Sequence, residues 1–356
     1  MNKIPYRSEE LEIKGQFLNT TVSFLSDTPI YNTPITVSEN MFAALKGENL
    51  WMPVSSDIIN IESRINPDHV ARAEIRDLGP AQPDEEKGGP DLFGIEWVYV
   101  PVAGGSMVKP GNPALDDATE WHDKITFPDV NAMDWESVAK LNAPFKSETR
   151  VVGCCFQNGM FERLISFMDF EGALVALVDE EQKPAVHELF DKLADMYIAM
   201  IQKYIDALDV KEVLFHDDWG SQRAPFFSIE TCREMIVPYI RRIADFCHSK
   251  GLIFQQHSCG KNELLVPAMI EAGVDMWSGQ PMNDKAMLYE KYGKDIILGV
   301  DVPELPEDAS DDEIEAAAKA FVTQYGKYPI VANIRLASRK LVEALYRQSR
   351  IYLCGE

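Results

Sequence analysis

The chain has 356 residues, of which 46% are hydrophobic and 26% are charged, and its formal net charge is -23. A chain this acidic does not hold a nucleic-acid backbone through bulk charge, which argues against nucleic acid as a partner. The N-terminal residues lack the apolar segment of a secretion signal, and the longest apolar runs, such as Gly172 to Val178, are too short to span a bilayer. We therefore expect a cytoplasmic protein with no membrane partner, whose six cysteines are reduced thiols.

The first 90 residues are rich in Pro, Asn and Asp and end in a loop sequence, GPAQPDEEKGGPD, at Gly79 to Asp91. This composition favours irregular structure. We expect residues 1–90 to form an irregular N-terminal extension that packs on a barrel formed by residues 91–356, so that the chain is a single structural domain overall.

From Gly94 onward, short β-rich runs alternate with helical stretches, which predicts an α/β protein with a parallel sheet and right-handed crossovers. Seven or eight such units favour a closed, TIM-type (β/α)8 barrel over an open sheet. The predicted strands are Gly94 to Val102, Arg150 to Phe156, Lys211 to His216, Gly251 to His257, Val274 to Gly279, Asp295 to Val300 and Tyr328 to Ile334.

Three of the intervening helices have clear signals. From Pro184 to Leu208, apolar residues recur at spacings of three and four, which is typical of one buried helix face. A second helix is predicted from near Ser228 to just before Gly251, with a kink at Pro238. A third begins at a capping box made of Ser310 and Glu313.

The residues that follow the predicted strands are polar, and in a TIM-type barrel the chemistry lies at these carboxyl ends. Each could be an ordinary loop residue, but together they concentrate Asp, Asn, Gln, His and Cys on one rim. The candidates are Gln157, Asn158, His216 to Gln222, His257 to Asn262, Gln280, Asn283 and Asp301.

His257 and Cys259 are the most specific of these candidates. Residues two apart at the end of an extended strand point to the same side, and an imidazole nitrogen and a thiolate on one side are suitable Zn²⁺ ligands. The alternative is a hydrogen-bonded histidine beside an unrelated buried cysteine. A bare H-x-C pattern does not decide between the two.

Asp217 and Asp218, in the sequence HDDWGSQ, form a second signal. Adjacent residues point to opposite sides if strand geometry continues, so one carboxylate can face the barrel mouth while the other braces the loop. The alternative is that one caps the next helix and the other lies in a turn.

Five segments together resemble the uroporphyrinogen decarboxylase superfamily, and more narrowly its corrinoid-dependent methyltransferase branch, the methyltransferase components of O-demethylase systems. The resemblance runs from about Pro34 to the end, and HDDWG and HSCG are its most specific parts. The segments are Met41 to Val54, Phe161 to Leu174, Val213 to Gln222, His257 to Trp277 and Leu345 to Gly355.

The resemblance implies a TIM-type barrel that moves a methyl group between a small methylated compound and a corrinoid (cobalamin) on a separate partner protein. In several branches an H-x-C pair and a later cysteine hold zinc, and His257 and Cys259 match the first two positions. Cys354 is the only cysteine after Cys259, and it lies in the C-terminal tail. Another metal pattern of such methyltransferases matches Glu180, Asp195 and His216. However, Asp195 would lie about 16 Å down its helix, too far to reach the site.

With few sulfur ligands, the metal is a harder Lewis acid, which suits an ether oxygen better than a thiol. We therefore expect zinc-assisted transfer of a methyl group from a small phenyl methyl ether to cob(I)alamin. His216, Asp217 and Asp218 are the expected catalytic residues, and Trp219 is expected either to stack on the aromatic substrate or to plug the barrel. The expected substrate-binding residues are Trp219, Gln222, Asn158, Gln280, Asn283 and Asp301.

Other functions stay open at this point. They are a methyl-cobalamin:thiol methyltransferase, a uroporphyrinogen decarboxylase-like lyase, and a non-catalytic barrel that binds a corrinoid protein or a ligand. The decarboxylase needs cations for a substrate with many carboxylates, and no arginine-rich motif is found near residues 30–60. The sequence does not reveal whether the protein is a homo-oligomer.

Overall fold

The computed structural model describes residues 3–18, 28–102 and 104–355. The chain divides into two compact units. Unit 1 comprises Met1–Ile59, Ser147–Val151 and Asp275–Glu356, and unit 2 comprises Asn60–Lys146 and Val152–Val274. Both units therefore combine stretches that are far apart in the sequence.

Strands and helices alternate along most of the described chain, with short 3-10 turns between them. The strands are β1 Ile13–Phe17, β2 Thr28–Tyr31, β3 Ile58–Ile61, β4 Gly88–Pro90, β5 Glu96–Val100, β6 Gly105–Val108, β7 Val151–Phe156, β8 Glu212–His216, β9 Ile253–Ser258, β10 Met276–Gly279, β11 Ile297–Asp301 and β12 Ile330–Asn333. The helices are α1 Val37–Ala44, α2 Pro67–Ala71, α3 Trp121–Lys124, α4 Trp135–Asn142, α5 Met160–Ala176, α6 Lys183–Leu208, α7 Ile229–Met235, α8 Val237–Ser249, α9 Val266–Glu271, α10 Lys285–Tyr292, α11 Asp311–Tyr325 and α12 Arg339–Cys354.

The parallel strands of unit 2 are β7, β8 and β9. Phe156 lies beside Phe215 in the β7–β8 pair, and His216 lies beside His257 in the β8–β9 pair. Every residue of β7 is buried, as expected for a parallel strand that is covered on both faces. All three predicted strands in this region are confirmed to within two residues at each end.

Unit 1 contains the parallel strands β10, β11 and β12. Met276 pairs with Ile297, Val300 pairs with Ala332, and Val54 adds a parallel bridge to Ala332. These strands also confirm their predicted positions to within two residues.

Parallel pairing with intervening helices in both units confirms the predicted TIM-type α/β class. Seven strands of this kind, β3 and β7 to β12, are found in the part of the chain that the structure describes, against the eight of a closed barrel.

One prediction for the first hundred residues is wrong. The segment Gly94 to Val102 was predicted as a barrel strand, but β5 is the central strand of an antiparallel sheet with β4 and β6. Its residues alternate between exposed and buried positions up to Val98, the pattern of a strand with one solvated face. The extension formed by residues 1–90 contains short regular elements, among them α1, which begins at a capping box formed by Thr36 and Glu39, and β3, which follows it.

The helix predictions are confirmed. The apolar stripe of α6 is buried, and Ser310 and Glu313 form the capping box of α11. The predicted kink near Pro238 is a full break between α7 and α8, because proline lacks an N–H group and is accommodated in the first turn of the new helix. Among the described helices, none is both long and apolar enough to cross a bilayer.

Unit 2 contains a buried cation with two acidic partners. The guanidinium of Arg163, on α5, is fully buried and donates to Asp68 at 2.5 Å and to Asp91 at 2.7 Å. Both carboxylates come from the segment that precedes the parallel strands of this unit. The interaction therefore ties that segment to α5, because a buried charge requires its counter-charges.

Candidate metal centre and active site

Four side chains with metal-ligating atoms meet in unit 2, at the carboxyl ends of β8 and β9. They are His216, Asp218, His257 and Cys259, and one ligand atom of each lies within 4.8 Å of the others. The pairing of β8 with β9 places the two histidines side by side, with their rings stacked 4.9 Å apart. Asp218 lies two residues after His216, and Cys259 lies two residues after His257, so each strand end contributes two of the four groups.

The four groups contact one another closely. The Sγ atom of Cys259 lies 3.5 Å from Nε2 of His257, and Oδ1 of Asp218 lies 3.5 Å from Nε2 of His216. The backbone N–H of Cys259 also donates to Oδ1 of Asp218 at 2.5 Å, which links the two strand ends directly. All four residues are half-buried, so a small ligand can reach them.

Two glycines allow the loops after β8 and β9 to approach this closely. Gly260 has φ +90, and a Cβ atom added there would overlap the carbonyl of Gly220. At Gly220, an added Cβ would overlap the side chain of Asn262. Asn262 in turn donates to the hydroxyl of Ser258 at 2.8 Å and to the carbonyl of Cys259 at 2.6 Å. Side chains at either glycine would push apart the loops that hold Asp218 and Cys259.

The first turn of α5 contacts the cluster through Glu162. Its Oε2 atom lies 2.7 Å from Nδ1 of His216, and its Oε1 atom accepts from Arg72 at 2.7 Å. Glu162 is 6% exposed. The ion pair of Glu162 and Arg72 therefore lies on the Nδ1 side of the His216 ring, whereas Asp218 faces the Nε2 atom.

Asp217 braces α5 and faces away from the cluster. It accepts the backbone N–H groups of Phe161 and Glu162 at 3.1 and 2.9 Å, and the indole N–H of Trp219 at 2.8 Å. Its side chain therefore satisfies the unpaired N–H groups at the start of that helix. Burial, together with the nearby Glu162 carboxylate, raises the pKa of Asp217 to about 7 against the opposing effect of these donors.

Burial and the neighbouring charges shift the pKa values of His216 and Cys259. Burial disfavours the imidazolium of His216, but the carboxylates of Glu162 and Asp218 outweigh this effect and hold the pKa of His216 well above its usual value. Burial raises the pKa of the Cys259 thiol, although the neighbouring His216 acts in the opposite direction. A bound cation would reverse both preferences, because it displaces the protons from its ligands.

Sequence comparison shows the family to which the chain belongs. The profile of the uroporphyrinogen decarboxylase (URO-D) family matches residues 91–334, more than two thirds of the chain. The chain belongs to the uroporphyrinogen decarboxylase family. No curated protein sequence is significantly similar to this family member.

Solved structures of TIM-type enzymes share the fold of this uroporphyrinogen decarboxylase family member. A methyltransferase from Methanosarcina mazei is 15% identical with a TM-score of 0.56, and the match covers 89% of this chain and 99% of that one. A D-psicose 3-epimerase from Clostridium cellulolyticum is 10% identical with a TM-score of 0.34, over 66% of this chain and 80% of that one. At 15% identity, the similarity to the methyltransferase concerns the fold alone.

The donor set of the cluster fits the zinc ion that the family resemblance implies. Two imidazoles, a thiol and a carboxylate are all groups that Zn²⁺ binds, and four such groups are the usual number at a zinc site. The later cysteine of the family pattern is not needed to reach that number. Cys354, the one remaining candidate, lies in unit 1, where its thiol contacts the carbonyl of Leu50 at 3.6 Å.

Two residues of unit 2 that were expected to bind substrate are buried. Trp219 is fully buried and its ring packs near Phe227, which agrees with the alternative that this side chain fills the interior. Asn158 is also fully buried, and its backbone carbonyl accepts from the hydroxyl of Tyr197. Both residues stabilise the region around the start of α5.

The other expected substrate-binding residues are divided between the two units. Gln222 is exposed in the loop after β8. Gln280, Asn283 and Asp301 belong to unit 1, where Asn283 bonds to the carbonyl of Gln280 at 2.9 Å and Asp301 accepts from Asn333 at 2.6 Å.

The second metal pattern is not assembled in unit 2. Glu180 is largely exposed and pairs with Lys183, while Asp195 pairs with Arg242 on the surface. Of that pattern, His216 alone belongs to the cluster. The position of Asp195 along its helix predicted that this residue would not reach the site.

Sequence reasoning missed Glu162 and Arg72, which support His216 from the side of α5. Gly220 and Gly260 lie within the predicted polar loops, but their role in the close approach of those loops was not predicted. Glu162 lies within the segment FERLISFMDFEGAL, which carries part of the family resemblance. That segment was a signal for a functional role, but the sequence does not show which of its residues faces the strand ends.

Proposed function

We propose that this protein is a corrinoid-dependent methyltransferase that moves a methyl group from a small methylated donor, best matched by a phenyl methyl ether, to cob(I)alamin on a separate corrinoid protein. The observation that carries the proposal is the cluster of His216, Asp218, His257 and Cys259 at the strand ends. Membership of the uroporphyrinogen decarboxylase family and the fold shared with a methyltransferase support it.

His257 and Cys259 would hold a zinc ion, with His216 and Asp218 completing the ligand set. When bound, the ion would supply Lewis acidity toward the ether oxygen of the donor. A set with one sulfur, two nitrogens and one oxygen suits an oxygen substrate better than a thiolate-rich set, which favours thiol substrates. This composition is the reason to prefer an ether donor over a thiol acceptor.

The residues of the chain position the reaction. The methyl–oxygen bond of the donor breaks, the phenolate leaves with the bonding electron pair, and the methyl group passes to cobalt. Asp218 is the one carboxylate of the cluster, and 26% of its side chain is accessible, so it could give way to the incoming oxygen. All four residues of the cluster are partly exposed, which transfer to a corrinoid on a separate protein would require.

Decarboxylation, the reaction in the family name, is the rival function. Such a reaction on a substrate with several carboxylates calls for cations that face it. Arg72, a cation that contacts the residue behind His216, is already engaged by Glu162 in an ion pair of 2.7 Å. The cluster itself presents an acidic group and a thiol, which favours methyl transfer.

The test is methyl transfer from a panel of methoxylated aromatic compounds, methylamines and methyl thioethers to chemically reduced cob(I)alamin, followed by the loss of cob(I)alamin absorbance. We expect turnover with an aryl methyl ether, and a loss of at least about 100-fold in Cys259→Ser and His257→Ala. Turnover with a thiol acceptor only, release of carbon dioxide from uroporphyrinogen, or ligand binding without transfer would each overturn the proposal in favour of the corresponding alternative.

A further inference from the structure

Glu162 joins the start of α5 to the candidate metal centre although it is not one of the four ligands. We propose that Glu162 is a positioning residue that presets His216 as a metal ligand, with Arg72 holding Glu162 in place. The inference rests on the metal site of the proposed function. It concerns affinity for the metal, and Glu162 itself touches neither the metal nor the substrate.

The geometry of His216 is the first support. Nδ1 of the ring lies 2.7 Å from Oε2 of Glu162, while Nε2 faces Asp218 at 3.5 Å. A histidine whose Nδ1–H donates to a carboxylate carries its free lone pair on Nε2. The Glu162 contact therefore selects the tautomer that directs a ligating nitrogen into the cluster.

Glu162 is itself held by two further contacts, so it can impose this orientation. Its second oxygen accepts from Arg72 at 2.7 Å, and its backbone N–H donates to the buried Asp217 at 2.9 Å. The glutamate side chain is 8% exposed and that of Arg72 is 14% exposed. With both oxygens engaged and little room for other rotamers, the carboxylate stays on Nδ1 of His216.

The position of His257 adds a second consequence. Its ring stacks on that of His216 at an interplanar angle of 18°. A rotation of the His216 ring would therefore disturb both imidazoles. The contact between Glu162 and His216 thus stabilises the arrangement of two of the four candidate ligands.

The test compares Glu162→Gln with a matched control, Glu188→Gln. Glu188 also pairs with a histidine of unit 2, His122, at 3.0 Å, but both side chains are more than half exposed. Affinity for Zn²⁺ is measured by competition with a chelator, and Co²⁺ substitution reports the geometry of the site through its absorption spectrum. We expect Glu162→Gln to bind Zn²⁺ about 10- to 100-fold more weakly, with an altered Co²⁺ spectrum, and Glu188→Gln to match the wild type.

A double-mutant cycle separates positioning from a general loss of structure. In the background of His216→Ala, Glu162→Gln has no imidazole to position, so we expect it to change Zn²⁺ affinity by less than about threefold. An equal loss in both backgrounds, or wild-type affinity in Glu162→Gln, would overturn the inference while the metal site stands. A wild-type protein that binds no Zn²⁺ would instead overturn the metal site itself, and the inference with it.

Discussion

At the scale of single residues, Glu212 at the start of β8 is an acid without a partner. It is fully buried, and among the residues that the structure describes neither of its carboxyl oxygens has a hydrogen-bond partner. The Glu212 carboxyl group packs closely against Gly153, because a Cβ atom added to that glycine would overlap it and would lie 2.5 Å from Oδ1 of Asn60. Burial raises the pKa of Glu212 well above its usual value, because the interior disfavours the charged form of the carboxyl group.

We expect the stability of the protein to fall with rising pH because of Glu212. The pKa in the folded state lies above that of the unfolded chain, about 4.3. The contribution is therefore fully present below that value and is lost as the pH rises toward the folded-state pKa. Glu212→Gln removes this dependence, so from pH 5 to pH 8 the variant should gain at least about 1 kcal/mol in free energy of unfolding relative to the wild type.

Urea unfolding of the two proteins at pH 5, 6.5 and 8 measures the effect. The outcome that contradicts the prediction is a constant difference between the two free energies of unfolding across this range. That result would mean that Glu212 has an ordinary pKa and is solvated in the folded protein.

The residue scale is also where sequence reasoning is most limited. The alternation of a strand predicts that Asp217 and Asp218 point to opposite sides, but not which of them faces the cluster. That depends on α5, whose unpaired N–H groups draw in Asp217. The role of Glu162 depends on the same helix. Glu162 contacts His216 although the two residues are 54 positions apart in the sequence. Such long-range contacts are fixed by packing, which periodicity does not describe.

At the scale of elements, the loops after β8 and β9 depend on Gly260. We expect Gly260→Ala to destabilise the protein strongly and to weaken Zn²⁺ binding, because an added Cβ overlaps the carbonyl of Gly220. Gly251 is the matched control, since it also has positive φ, at +72, but has nothing within 4 Å of an added Cβ. Gly251→Ala should cost about 1 kcal/mol in free energy of unfolding, and Gly260→Ala should cost several kcal/mol.

Thermal unfolding and Zn²⁺ titration of both variants provide the measurement. Equal losses of stability at the two positions would show that backbone conformation alone matters. The close approach of the two loops would then not be required for the cluster.

Element boundaries were predicted well where one physical signal dominates. The apolar runs of β7, β8 and β9 and the stripe of α6 lie within two residues of their expected positions. β5 was misassigned because EWVYV is as apolar as a buried strand, and only its partners, β4 and β6, show that one face is open to solvent. Pairing partners are a tertiary property, which single-strand patterns do not contain.

At the scale of the whole molecule, metal binding and stability should be linked. A ligand that binds only the folded state stabilises it by about 2.7 kcal/mol at 100 times its dissociation constant. We therefore expect Zn²⁺ at that excess to raise the melting temperature of the wild type by several degrees. In Cys259→Ser the shift should be much smaller, since one of the four ligands of the cluster is lost.

Differential scanning calorimetry with and without Zn²⁺ measures the shift, and Cys232→Ser is a suitable control because Cys232 is a buried cysteine outside the cluster. The same shift in Cys259→Ser and in the wild type would place the ion at another site. A shift that disappears in both variants would indicate a general effect of cysteine loss.

The buried Arg163 has a consequence for where the chain can be divided. The family profile begins at residue 91, and a chain that began there would keep Asp91 but lose Asp68. A guanidinium in the interior would then have half of its counter-charge, and breaking a buried ion pair costs about 3–5 kcal/mol. The region of sequence similarity therefore contains only part of this buried charge network, and truncation or recombination at that border would separate a charge from its neutralising partner.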